Sequence, residues 1–499
     1  MHWSDRHTDE PAVVLDAGGR DCGDGLLLDL RRQLDPLDRG QLLELVSTAA
    51  SVEDDLPAWC KLTGHALVSA VRRGEQRSYL ICKGALAHHD GVMTPPVHRP
   101  RGRPSDPGLG PGGELPLPAD APPVPPLAIM GIGSWPRPRW MLRAIYAHLE
   151  GRLADDDFDE AGDDAVRLAA AAQLRAGVDV VTDGEQRRDG YAGFVGGRLD
   201  RCQLVPVIDL LPYAADPVAL EAELRALGVP LEEVRQPVVL GPLRRSRPLT
   251  GRELAFVRTL TELPAKVALP GPYLLTRLLS VECLTVKPYP TREGLAEDVV
   301  RILRDELFHL LAGGAALVQF DEPGLTDAAH GRPRPNPGVM TTALAVREDP
   351  TAEMAFAGSL LNRVVAGAPR ERVALHVCRR TGEGYGPLLP LLRTLQVGAF
   401  FLELSAARPG EMAALRTLPE SCRIGVGVVD PKGGEVASIG SVYARADEAA
   451  ALFGPERVLL TPDCGFAPFA ARPAAPAAVA EAKLAAVAQA ARLLRKRYG

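Results

Sequence analysis

A chain of 499 residues with 46% apolar content is long enough for two or three domains with true hydrophobic cores. Its net charge of −6 comes from well-mixed signs without a long basic block, which favours neither nucleic acid nor an anionic membrane surface as a partner. The N-terminal stretch MHWSDRHTDE has no apolar leader, and no run approaches the roughly 20 apolar residues of a membrane-spanning helix. A cytoplasmic protein that binds neither nucleic acid nor membrane is the expectation. Eight cysteines, at 22, 60, 82, 202, 283, 378, 422 and 464, are too thinly spread for a disulfide scaffold and read as reduced thiols.

In chain order, residues 11–84 alternate strand-like AVVLDA, helix-like LLLDLRRQL, strand-like QLLELVST, helix-like DDLPAWCKLTG and strand-like RSYLICK. This pattern predicts a small two-layer α/β sandwich. Residues 85–126 are crowded with Pro and Gly, show no apolar period and read as a linker. From 127 to 499 short apolar runs recur: LAIMGIGS, VDVVTDGE, KVALPGPY, AALVQFDEP, RVALHVC, AFFLEL, RIGVGVVD and RVLLTPDC, with helix-period segments between several of them. Eight runs that are apolar on both faces, in about 370 residues, predict a parallel (β/α)8 barrel, with its largest insertion near 191–262.

Each run ends in a residue with chemistry to offer: Ser134, Asp183 and Glu185, Tyr273, Asp321 and Glu322, His376 and Cys378, Glu403, Asp430, and Asp463 with Cys464. Barrel active sites gather at that end of the strands. His376 and Cys378 stand two apart, so a strand presents both on one face. With Glu403 and Cys464 they would make an imidazole, two thiolates and a carboxylate, a donor set that suits Zn²⁺. The competing reading is plain packing for the thiols, and helix caps or end-of-barrel ion pairs for Glu185, Asp321 and Glu322. Cys202, Cys283 and Cys422 have no such company and read as packing residues.

With GIGSWPRP, VDVVTDGEQRRDGYAGFV, VQFDEPGLTD and TPDCG in order, residues 127–499 resemble the catalytic domain of the cobalamin-independent methionine synthase (MetE) family, in its short core type. The resemblance implies a zinc-dependent S-methyltransferase that makes methionine from homocysteine. It implies zinc on His376, Cys378, Glu403 and Cys464, the amino acid on Ile132, Gly133 and Ser134, its amino group on Asp321, and Glu185 at homocysteine near the methyl donor. A zinc-bound thiol stays a thiolate at neutral pH, whereas a free one titrates near pH 8.5. The family's Asp-x-His-Ser acid is VVDPKGGEV here, which keeps Asp430 and puts Lys432 where the histidine would stand. The methyl donor is therefore methyltetrahydrofolate, with Lys432 as acid, or a methylcorrinoid protein that needs less acid help. A different thiol, of the coenzyme M kind, is an alternative substrate. A decarboxylase of the uroporphyrinogen type fits poorly, having no use for two thiolates beside a histidine.

Residues 11–84 resemble TusA-like (SirA) sulfurtransferases, which carry sulfur as a persulfide and open their first helix with Cys-Pro-x-Pro; this chain has Cys22-Gly23-Asp24-Gly25. A cysteine just ahead of a helix beginning near Leu26 favours thiolate, while Asp24 opposes it. Cys22 is then a persulfide carrier, fed by a cysteine desulfurase or another relay protein, or a structural thiol. Cys60 and Cys82 read as core, and His65 as a surface or capping residue. A protein whose main task is sulfur relay is the competing function.

Overall fold

The computed structural model describes residues 3–4, 6–20, 26–63, 65–84, 114–208, 235–245, 247–279, 288–330, 349–379, 384–408 and 410–498, with a few single positions between 218 and 225. The chain divides into two units, of which the smaller contains residues 1–98. No helix among the described residues is long and apolar enough to cross a membrane.

The smaller unit has strands β1 (Trp3–Ser4), β2 (Val13–Asp16), β3 (Leu42–Ser47), β4 (Ala66–Arg73) and β5 (Gln76–Cys82), in the sheet order β1-β4-β5-β3-β2. Burial alternates along β3, with Leu43 and Leu45 inside and Leu42 and Glu44 part-exposed, as one buried sheet face requires. The covering layer is two helices. Leu26, Leu30 and Leu34 recur every four residues along helix Leu26–Leu34, and Val52, Leu56, Trp59 and Cys60 come from helix Val52–Thr63. The two-layer sandwich is therefore present, with two strands more than the sequence pattern shows, β1 ahead of residues 11–84 and β4 within them. ALVSAVRR forms β4, antiparallel to β5 across a turn where Gly74 takes φ +66°. Its pattern hides because its first four residues are only part-buried rather than alternating. Burial pushes the Cys60 thiol up to about 12 and raises Cys82 as well, the behaviour of packing thiols. His65 accepts from the Gly84 N–H at 3.1 Å. Cys22, Asp24 and Cys283 lie outside the described residues.

The larger unit is a closed parallel barrel. β8 (Lys266–Pro270), β9 (Leu317–Asp321), β10 (Val373–Val377), β11 (Ala399–Leu402), β12 (Arg423–Val429) and β13 (Val458–Pro462) are hydrogen-bonded in sequence order. Two further strands are reduced to short bridges that close the ring: Ile129 pairs with Leu460, Met130 with Val180, and Val181 with Ala265, all parallel. These are the eight apolar runs of the sequence. β8, β9, β10, β11 and β13 are buried at every position, because helices cover them outside and side chains fill them inside. The insertion carries an antiparallel pair, β6 (Leu199–Pro206) with β7 (Arg235–Arg245). It is anchored by the fully buried Arg245–Glu306 pair, whose carboxylate also accepts from the backbone N–H of Leu249 at 2.9 Å and of Thr250 at 2.7 Å.

Two apolar clusters share the strands by alternation. Val318, Phe320, Leu375, Val377, Phe400 and Leu402 face the helices. Leu317, Ala374, Ala399, Phe401 and Leu459 fill the interior with Met130, Ile132 and Val180. Gln319, Asp321 and His376 are in register with the inner set. The last residues of the proline-rich segment close the bottom. Val124 packs on the interior cluster, Arg423 donates to the carbonyls of Val124 and Pro125 at 2.9 and 2.5 Å, and Arg372 donates to that of Ala119 at 2.6 Å. Prolines lack a donor but keep an acceptor, so arginines at the strand beginnings hold this stretch.

Phe401 is oriented by a missing side chain, since a Cβ on Gly425 would stand 1.9 Å from its Cδ1. Gly425→Ala is expected to force the ring aside and destabilise the barrel by about 1–3 kcal/mol. A thermal transition unchanged from that of the native chain would contradict this packing.

Candidate metal centre and substrate site

The barrel register brings the first group together. His376 is opposite Asp321 on one side and Phe401 on the other. Its Nδ1 lies 3.2 Å from the Phe401 carbonyl oxygen. A carbonyl only accepts, so in the neutral ring Nδ1 carries the proton and Nε2 is left facing Cys378 Sγ at 3.7 Å. Cys464 arrives from the loop after β13. One ligand atom each from His376, Cys378 and Cys464 lie within 4.8 Å of one another, and the three can hold a metal ion. The two thiols share a hydrogen bond that holds Cys464 well below the usual thiol range and Cys378 well above it. Burial opposes the charged form of His376, but the hydrogen bond and charge of Cys464 outweigh it and push the imidazole up to about 9.

Glu403 lies at the same mouth but outside that 4.8 Å group. One of its oxygens accepts from the Arg379 N–H at 2.9 Å. Burial, together with the charge of Cys464, pushes its carboxyl up to about 7 against the pull of His376. Tyr385, which the sequence gives no reason to select, links the two strand ends. Its hydroxyl donates to the Val377 carbonyl at 3.2 Å and accepts from the Glu403 N–H at 2.8 Å. Asp463 braces the loop after β11, accepting from the N–H groups of Leu404 and Ser405 at 2.9 Å each.

The second group adjoins the first. Ser134 Oγ accepts from the Ala467 N–H at 3.1 Å, and Phe466 donates to the Ser134 carbonyl at 3.0 Å, which lays Ile132–Ser134 along the Cys464 loop. Glu185 Oε1 reaches to 2.3 Å from where a Cβ on Gly133 would be, so the carboxylate needs that glycine. Glu185 holds a left-handed backbone, φ +55°, that side chains rarely adopt. Arg137 fixes it by donating to its carbonyl at 2.7 Å and to that of Ala467 at 2.8 Å. Glu185 Oε2, Asp183 Oδ2, and Nε and Nη2 of Arg188 are buried without a hydrogen-bond partner among the described residues. Buried polar atoms of both signs at a barrel mouth are what a zwitterionic ligand would satisfy. Asp321 Oδ1 accepts from Gln319 Nε2 at 2.6 Å, and burial raises its carboxyl.

Other strand-end residues have structural partners. Glu322 caps helix Pro272–Leu279, accepting from the N–H groups of Tyr273 and Leu274 at 2.8 Å each. Tyr273 donates to Glu353 at 2.7 Å. Asp430 accepts from the Lys432 N–H at 2.9 Å in a turn, both residues being exposed and Pro431 between them buried. The Lys483 ammonium holds that turn from inside through the carbonyls of Asp430 and Lys432, at 2.8 and 2.7 Å. The Lys432 side chain is exposed, and the described hydrogen bonds and ion pairs do not bring it to the His376–Cys464 group.

Residues 127–489 match the family described as "Cobalamin-independent synthase, Catalytic domain". The methionine synthase of Sulfolobus acidocaldarius is 28% identical over 335 residues, covering 67% of this chain and 84% of that protein. That of Sulfurisphaera tokodaii is 27% identical, with the same coverage. Among solved structures, the B12-independent methionine synthase from Shewanella sp. W3-18-1 superposes with a TM-score of 0.56 at 22% identity, covering 74% of this chain and 98% of that one. A putative vitamin-B12 independent methionine synthase from Listeria monocytogenes gives 0.53 at 19% identity, over 75% and 99%. These two are likenesses of fold, and the fold is the barrel.

Burial pushes the Glu185 carboxyl up to about 7 from an ordinary 4.5, Arg188 opposing it and Asp321 adding to it. A raised folded pKa means that the native chain holds a proton the unfolded chain has released. Its contribution to stability is therefore full below about 4.5 and is lost as pH rises through about 7. Relative to Glu185→Gln, the native protein should lose thermal stability steadily across that window. A stability difference that stays constant with pH would contradict it.

Proposed function

The chain belongs to the family of cobalamin-independent synthase catalytic domains and is a methyltransferase, and from this premise we propose that it transfers a methyl group to the thiol of homocysteine on zinc, giving methionine. The observation that carries the reading is the convergence of His376, Cys378 and Cys464 within 4.8 Å at a barrel mouth that also holds Asp321 and Glu185. Two thiolates and an imidazole are a zinc donor set, and an Nδ1 tied to a backbone carbonyl is how ligating histidines are oriented. Glu403, at the same mouth but outside that group, would supply the fourth position. When bound, zinc would hold the substrate thiol as thiolate at neutral pH.

In this reading the chain's own groups bind and orient the amino acid. Ile132, Gly133 and Ser134 take the amino acid, Asp321 its amino group, and Glu185 contacts homocysteine near the methyl donor. A tertiary amine such as methyltetrahydrofolate needs a proton to leave, and Lys432 is the residue assigned to give it, with Asp430 fixing its turn. The exposure of Lys432 favours the alternative donor, a methylcorrinoid protein. The unit at 11–84 is read as a TusA-like sulfur carrier joined through 85–126. Its mixed sheet and a helix that begins at Leu26, four residues after Cys22, support this. The six described cysteines are free thiols, which fits a reducing cytoplasm.

The test is methyl transfer to homocysteine from methyltetrahydrofolate and from methylcobalamin, with and without a zinc chelator. About one zinc per chain is expected, and Cys464→Ser should lose both the metal and roughly 100-fold or more of the activity. Full activity in that variant would overturn the zinc assignment. No transfer to homocysteine from either donor would overturn the substrate.

For the small unit, incubation with a cysteine desulfurase and cysteine should add one sulfur to Cys22, read by mass spectrometry and absent from Cys22→Ser. An unmodified Cys22 in the native chain would remove the sulfur-carrier reading.

A further inference from the structure

Inside the barrel, below the groups discussed so far, is a charged side chain that the proposed function leaves unused. Lys266 opens β8 and is 1% exposed. A buried ammonium has three donors to satisfy. Here they meet the Ile132 carbonyl at 2.8 Å, Gln319 Oε1 at 2.7 Å and the face of Phe401, whose centroid is 4.7 Å away. None of these acceptors carries a formal charge, so the site is shaped around the ammonium rather than being a chance ion pair.

Each contact has a consequence. Because Gln319 Oε1 is taken by the ammonium, its Nε2 must face the other way, and it donates to Asp321 Oδ1 at 2.6 Å. Because the Ile132 carbonyl points to Lys266, the planar peptide turns the Gly133 N–H in the opposite direction. One side chain on the third strand thus fixes a backbone group after the first strand and a carboxylate at the end of the fourth. Burial draws the Lys266 amino group down to about 7, while Asp321 and Glu185 pull it back up.

We propose that Lys266 is a positioning residue for amino-acid recognition: by binding the Ile132 carbonyl and, through Gln319, Asp321, it sets the spacing between the Ile132–Ser134 segment and the Asp321 carboxylate. This rests on the homocysteine reading and deepens it. Lys266 touches neither substrate nor the metal ligands. Its removal should therefore impair homocysteine binding selectively.

The experiment uses the full-length zinc-loaded protein, with Lys266→Met removing the ammonium and Gln319→Met breaking the relay while leaving the ammonium in place. L-homocysteine binding is followed by calorimetry, and turnover is measured separately. Both variants should weaken homocysteine affinity and raise its KM roughly ten- to hundred-fold, the effect of losing a hydrogen bond to a charged group. KM for the methyl donor and zinc content should stay native. Native-like homocysteine affinity in a folded Lys266→Met protein would overturn the proposal, as would an equal fall in kcat with no change in homocysteine KM. If Lys266→Met fails to fold, Gln319→Met decides by the same readouts. A native protein that binds no homocysteine defeats the functional reading and this inference together. A native protein that binds it, beside variants that bind it equally well, defeats this inference alone.

Discussion

A polar group inside a closed parallel barrel has to find its partner inside the barrel. The strands have spent their backbone groups on one another, and helices cover the outer face, so water reaches an inward side chain only at the mouth. The interior of this chain obeys that rule layer by layer. Small and apolar residues fill the bottom, where Leu317, Ala374, Ala399 and Leu459 meet. Lys266 and Gln319 follow, each hydrogen-bonded to partners inside the barrel. The carboxylates and thiols come last, at the mouth, where some atoms are left without protein partners. Reactivity is placed where the packing requirement runs out.

This ordering explains which parts of the fold and site could be read from sequence. Strands apolar on both faces stand out without alternation, so all eight barrel runs were visible, even the two that hydrogen-bond only through short bridges. His376 and Cys378 share a face by the two-residue period alone. Cys464 was legible because TPDCG follows a run of buried residues. One strand of the small sheet was not: β4, between β1 and β5, begins with four part-buried residues and carries no alternation to find. Glu322 shows the limit at the site itself. It adjoins Asp321 in sequence, yet the same period sends it to the opposite side, where it caps a helix. Lys266 had a signal, a lysine opening an otherwise apolar strand, but its meaning depends on Ile132 and Gln319, which lie far away in sequence.

Strain and burial concentrate on one side of the mouth. Glu185 combines a left-handed backbone, a carboxyl pushed up to about 7 and an orphan oxygen. Such a residue persists only when its surroundings over-determine it. Arg137 grips its carbonyl, and Gly133 gives up the space that its carboxylate occupies. Through Ser134 the same segment lies against the loop carrying Cys464. The Cys464 loop and the Ile132–Ser134 segment are therefore one packed body, and a change in either is felt by the other.

The turn bearing Lys432 is built on a different principle. Lys483 holds it by the carbonyls of Asp430 and Lys432, and Asp430 accepts only a backbone N–H. Its shape is thus specified by main-chain atoms that every residue type possesses. Around Lys266 the interior tolerates little substitution, because Lys266, Gln319 and Asp321 satisfy one another. The turn imposes no comparable demand on the side chain at 432. The side chain at 432, where the sequence departs from the acid of the family it resembles, can therefore change without disturbing the His376–Cys464 group.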